Sequence, residues 1–298
     1  MTTFASVQSD LCEDRPRSPS WDEYSTWLVP EWQRFLESCS SEREMQLFLE
    51  RHPCLLPGAT DSVGPGGHHG PSFEAVIRQP PLQGLGPKRV PDFMWVRRDT
   101  AAIRPICIEI ESPLKPWFNP GSRTPTAPLT QAIDQLTEWK VWFSSPENQL
   151  IFAKTYAPRY SHRPIEPQFV LVYGRDAEFR AATSKHDDAD YIRRKRDHMA
   201  RDREHFFTYD QLMPESEARD YATITRHVDG WTLSAVPPTF CTGAYMMEMA
   251  ESISNPSEAL AKIDLVGPER KSYLLERWKF WRNVALSGHF SGELGVRE

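Results

Sequence analysis

An α/β fold, with a mixed central sheet flanked by helices, is what this sequence predicts, and three patterns carry the prediction. Two short apolar runs, residues 93–96 and 103–110, lie a hairpin apart with Asp99 and Thr100 between them as the turn. Leu129, Ile133, Leu136, Trp139 and Phe143 recur at helical spacing, which places them along one side of a helix. Residues 169–173 then make a compact apolar run, stopped by Gly174, as a buried strand does.

In chain order, residues 1–20 are polar, rich in Pro and Ser, and read as disordered. A first helix over 21–36 carries Tyr24, Trp27, Leu28, Trp32 and Phe35 on one side, interrupted or kinked by Pro30. A second starts at Ser41, where Ser41 and Glu44 spell a capping box, and ends at Pro53. Residues 57–71 are a surface loop whose adjacent His68 and His69 point apart and chelate nothing together. A strand follows at 73–77, then a loop at 84–89, the hairpin, and a Pro-rich stretch at 116–128 before the helix, which Thr126 or Thr130 caps. A basic helix spans 191–205, read as a solvated face in preference to a nucleic-acid contact because Asp197, Asp202 and Glu204 dilute it. The acidic run after Pro214 marks a boundary. The organisation is therefore an N-terminal segment (1–40), a main domain (41–214), and an α-rich extension (215–298) with a strand at 231–236 and helices at 245–253 and 268–284.

Composition excludes several classes. No apolar run is long enough to cross a bilayer and the N-terminus lacks a signal-peptide core, so a cytoplasmic protein without membrane association is expected. Five scattered cysteines with no C-x-x-C pair suggest neither a disulfide framework nor a zinc knuckle. A net charge of −6 argues against non-specific coating of nucleic acid, though not against a local basic rim around an acidic site. No P-loop, G-x-S-x-G elbow or H-E-x-x-H helix occurs.

The chemistry concentrates at the open end of the hairpin. Asp92 precedes one strand, and Glu109 and Glu111 close the next; alternation turns Cys107, Glu109 and Glu111 to one face and Ile106, Ile108 and Ile110 to the other. A single exposed acid on a strand is ordinary. Three together repel one another and raise each other's pKa unless a cation joins them, and hard oxygen donors suit Mg²⁺ or Mn²⁺. Lys88 and Arg89, just ahead of Asp92, either hold a phosphodiester or balance the carboxylates. Glu44 has two readings, the helix cap and an acid facing the metal. Gln135 falls near the apolar stripe of its helix, where a polar group needs a partner.

With this element order, the residues resemble the PD-(D/E)XK nuclease superfamily, whose motif is spelled here by Pro91-Asp92 and Glu109-Ile110-Glu111. More specifically, the chain resembles the Shedu family of bacterial anti-phage defence nucleases. The marks are EMQLFLERHPCLLP (44–57), residues 90–93 and 108–113, AIDQLTEW (132–139), VLVYGR (170–175) and FFTYDQL (206–212), in order across residues 41–214. The resemblance implies a restriction-endonuclease-like αβββαβ core and a catalytic metal on Asp92 and Glu109, with Glu44 assisting and Gln135 supporting. It implies double-stranded DNA, phage DNA included, as partner, and assembly as a homo-oligomer, which the aromatic last helix would suit. Glu111 departs from the family's lysine; it either takes a proton from the attacking water or ligates a second ion. Lys115, four residues on, is the alternative for the missing charge. The expected function is metal-dependent hydrolysis of DNA phosphodiester bonds. The rivals are a nuclease fold that now serves as a sensor or assembly module, and a phosphoesterase acting on small nucleotides.

Overall fold

The computed structural model of the chain describes residues 15–65 and 69–287. Expectations for residues 1–14 and for His68 lie outside these. Residues 16–20, expected to be disordered, are held: Ser18 Oγ donates to the Pro238 carbonyl at 3.2 Å, and Arg270 Nη1 donates to that of Pro16 at 3.2 Å. Ser20 then caps helix α1 (Trp21–Ser38) through a full capping box with Glu23. Pro30 does not end this helix. Tyr24, Leu28, Trp32 and Leu36 are buried along it, and that burial outweighs one missing backbone bond. Helix α2 (Glu42–Arg51) begins at the predicted cap, Ser41.

Seven strands form one mixed sheet: β1 (Ala75–Arg78), β2 (Phe93–Arg98), β3 (Ile103–Ile110), β4 (Gln168–Val172), β5 (Glu204–Phe207), β6 (Ala222–His227) and β7 (Gly230–Ala235). Their order is β5-β4-β3-β2-β1-β6-β7. The strands β1, β2 and β3 pair antiparallel, β3 with β4 and β4 with β5 parallel, and β6 pairs parallel with β1 and antiparallel with β7. Two apolar cores sandwich the sheet. On one face Phe93, Trp95, Ile106, Ile108 and Ile110 meet α1 and α2; on the other Met94, Val96, Cys107, Phe169 and Leu171 meet α3 (Ala127–Ser144) and α4 (Pro146–Tyr156). The alternation read along β3 is thus the division between the two cores. Thr126 caps α3, its hydroxyl accepting the Leu129 N–H.

Several expectations are corrected. The basic helix ends early: α5 is Ala189–Asp197, and residues 204–207 are strand β5, which pairs with β4. A helical pattern without an apolar stripe gave no stop signal, whereas a parallel neighbour gives these residues a ladder. Helix α4 and strand β6 were not foreseen. The stretch after Pro214 is not apart from the main body, because β6 and β7 extend the same sheet. Beyond them come α6 (Met247–Ser252), α7 (Pro256–Ala261) and α8 (Pro268–Ser287). Leu274, Trp278 and Trp281 of α8 are buried within the chain, with Trp278 stacked on Phe240, so they are core and not an exposed interface. Among the described residues no helix is long and apolar enough to cross a membrane.

Candidate active site

The register of β2 and β3 places the acids. Phe93 pairs with Ile108, so one step outward Asp92 stands opposite Glu109, where the hairpin opens. Asp92 Oδ2 accepts the Ile110 backbone N–H at 2.9 Å. The two side chains share a hydrogen bond. Glu109 is 7% exposed and Glu111 8%. Burial, opposed by the Ile110 bond and aided by the charges of Glu42 and Glu111, pushes Asp92 up to about 7. Burial and the neighbouring Asp92, Glu111 and Glu42 push Glu109 up to about 10.

Glu42, the first residue of α2, completes a group of four carboxyls. Its carboxyl shares a hydrogen bond with that of Glu111, and its pKa is raised by desolvation and then by the Glu111 charge, with Lys115 pulling the other way. Glu44 is elsewhere. Its carboxylate accepts the N–H groups of Ser40 and Ser41, both at 3.2 Å, and its own N–H donates to Ser41 Oγ. The capping reading of Glu44 therefore holds, and the acid that α2 brings to the hairpin is Glu42. A signal for this existed: Glu42 lies three and seven residues before the buried Met45 and Leu49, on the inward stripe of the helix.

Lys115 brings the positive charge. Its ammonium forms an ion pair with the Glu111 carboxylate, one helical turn's worth of residues away. The turn that carries it is fixed by close packing at Gly174, which follows β4 with φ +56°; a Cβ there would sit 2.7 Å from the Lys115 carbonyl oxygen. Trp117 adds a bond from its indole N–H to the Tyr173 carbonyl at 3.1 Å. Tyr209, fully buried, donates its hydroxyl to the Glu111 carbonyl and so ties the end of β3 to the turn after β5. Asp210 beside it grips Arg175 with both oxygens, at 2.8 and 2.9 Å. Tyr209 and Asp210 fall in a stretch that the sequence marked without assigning either a role.

The remaining candidates are not brought into this group. Gln135 is on the exposed side of α3, in line with Gln131 and Glu138, and takes no part in the bonds that join the carboxyls. Its buried neighbours Ala132 and Leu136 take the inward positions. Arg89 forms an ion pair with Glu138 of α3, and Lys88 is exposed in the loop before it.

The family model described as Shedu protein SduA, C-terminal, matches residues 39–213, more than half of the chain. The chain belongs to the Shedu SduA C-terminal family. No curated protein matches it. The Shedu span contains Glu42, Asp92, Glu109, Glu111, Lys115 and Tyr209, whereas β6, β7 and α6 to α8 lie beyond it, and β6 and β7 complete its sheet.

Whether this Shedu chain suits a divalent cation is a question of donor chemistry and of pose. Four carboxyls supply hard oxygens; here Asp92 is hydrogen-bonded with Glu109 and Glu42 with Glu111, and the Lys115 ammonium lies on Glu111. The donor set fits. As posed, the oxygens bond to one another and to Lys115, and among the described residues no three His, Cys, Asp or Glu side chains form a ready metal-holding group.

Proposed function

We propose that this chain is a Mg²⁺- or Mn²⁺-dependent DNA endonuclease of a bacterial anti-phage defence system, built on a PD-(D/E)XK-type core. Family membership supports the defence role. The order α2, β1, β2, β3, α3, β4, with antiparallel β1–β3 and parallel β3–β4, supports the core. The observation that carries the chemistry is Asp92 facing Glu109 across the hairpin's open end, with Glu111 and Glu42 adjoining.

In this reading Asp92 and Glu109 would hold the ion, with Glu42 adding charge at the rim. A divalent ion bound there lowers the pKa of the attacking water and offsets negative charge on the phosphate. Glu111 takes the water's proton, with the Tyr209 hydroxyl anchoring the main chain at Glu111. Lys115 and the exposed Lys88 meet phosphate oxygens; Arg89 is committed to Glu138. The test is incubation of plasmid and linear double-stranded DNA with the purified chain and Mg²⁺ or Mn²⁺. Cleavage that stops with chelator supports the proposal, and intact DNA under all these conditions overturns it.

A second reading, a non-cutting DNA sensor or assembly module, draws on two observations: Glu111 is paired with Lys115, and among the described residues no three His, Cys, Asp or Glu side chains form a ready metal-holding group. DNA binding without cleavage would favour it.

A further inference from the structure

We propose that Lys115 is a resident counter-ion of the carboxyl group, holding Glu111 while the site has no divalent cation and releasing it when one enters. The inference rests on the cation-site reading above. Three observations carry it. Asp92 is held by the Ile110 main chain of the facing strand, and Glu111 is the acid of the group whose carboxylate meets an ammonium. The backbone beneath that ammonium is closely packed, with Gly174 against the Lys115 carbonyl and the Trp117 indole N–H donating to the Tyr173 carbonyl. The side chain itself can shift, being unbranched, about a third exposed and next to the exposed Leu114. A partly exposed ammonium on a closely packed turn is a charge that can change places with a dication.

A counter-ion competes with the incoming cation, and where it remains nearby it repels it. In both cases removing its charge tightens binding.

The experiment is calorimetric titration of the full chain with Mn²⁺ alone, on the wild type, Lys115→Met and Lys115→Arg, with thermal melts of each in chelator. Lys115→Met keeps most of the apolar stem and loses the charge. It should bind Mn²⁺ about tenfold more tightly than the wild type, the scale of one largely solvent-screened charge pair, and melt at a lower temperature in chelator. Lys115→Arg, which keeps the charge, should bind Mn²⁺ as the wild type does. Wild-type or weaker affinity in Lys115→Met overturns the counter-ion role while leaving the cation site standing. Absence of Mn²⁺ binding in all three proteins overturns the cation site itself.

Discussion

Asp92 accepts the Ile110 backbone N–H at 2.9 Å, a bond that fixes one strand's carboxylate on the other strand's main chain. Aspartate at this position thus has a structural bond and a charge, and the two can be separated. In Asp92→Asn the amide oxygen accepts the same N–H while the charge disappears. The variant should melt higher than the wild type in chelator, by on the order of 1 kcal/mol, because repulsion with Glu42 and Glu111 is relieved. Cleavage of plasmid DNA with Mg²⁺ should fall to background. Asp92→Ala also loses cleavage, and the orphaned N–H costs about 1 kcal/mol. Wild-type cutting by either variant would refute the assignment.

The same repulsion sets a pH dependence. Asp92 and Glu109 titrate near 7 and 10 when folded, above their ordinary 3.8 and 4.5. Between the ordinary and folded values the native state binds more protons than the unfolded chain, so stability declines as pH rises. The stabilisation is complete below about pH 4 and is lost through about pH 7 for Asp92 and about pH 10 for Glu109. Urea denaturation in chelator should show a lower midpoint at pH 8 than at pH 5, with a smaller difference in Glu109→Gln. Mg²⁺ at pH 8 should restore the midpoint. A profile flat over this range in chelator contradicts the raised values.

Two glutamates in the first turn of α2 have opposite duties. Glu44→Ala breaks the capping box and should lower the melting temperature slightly with cleavage unaffected. Glu42→Gln leaves the cap whole, and should raise the Mg²⁺ concentration needed for half-maximal cleavage by about tenfold, as loss of a supporting charge does. Metal titrations and melts of the two variants separate the roles, and exchanged phenotypes would show that the assignment is reversed.

Truncation after residue 214 keeps the Shedu-matched span yet removes β6, whose residues Ala222 to Thr225 pair with all four residues of β1. Ala75, Val76 and Ile77, each at most 1% exposed, would then form a bare sheet edge. The truncated chain should be insoluble or lack a cooperative melt, where the full chain unfolds in one transition. A soluble fragment with a native circular dichroism spectrum would show that the matched span is autonomous.

The legible part of the sequence was local. Ser41 with Glu44 determines a helix start whatever lies around it, and strict alternation along 103–110 determines which residues share a face. Thr126 was legible as a cap for the same reason. Antiparallel neighbours joined by a short turn follow from the hairpin itself, so Asp92 and Glu109 could be set at one end before any coordinates. Where the pattern is weak or the partner distant, the sequence does not disclose the element: residues 204–207 carry a helical pattern yet pair with β4 as β5, and β6 is a strand because β1, 147 positions earlier, gives it an edge in the register Ala75↔Ala222.

Sequence alone therefore determined the hairpin, its acidic end and the capped helices that flank it, because caps, turns and periodicity act over a few residues. The tertiary structure decided which acid of α2 reaches that end, that Lys115 lies on Glu111, that Tyr209 holds the Glu111 carbonyl, and that the chain beyond 214 completes the sheet. These are meetings between segments far apart along the chain, and they are selected by burial and charge in the folded whole, which no short window of residues encodes.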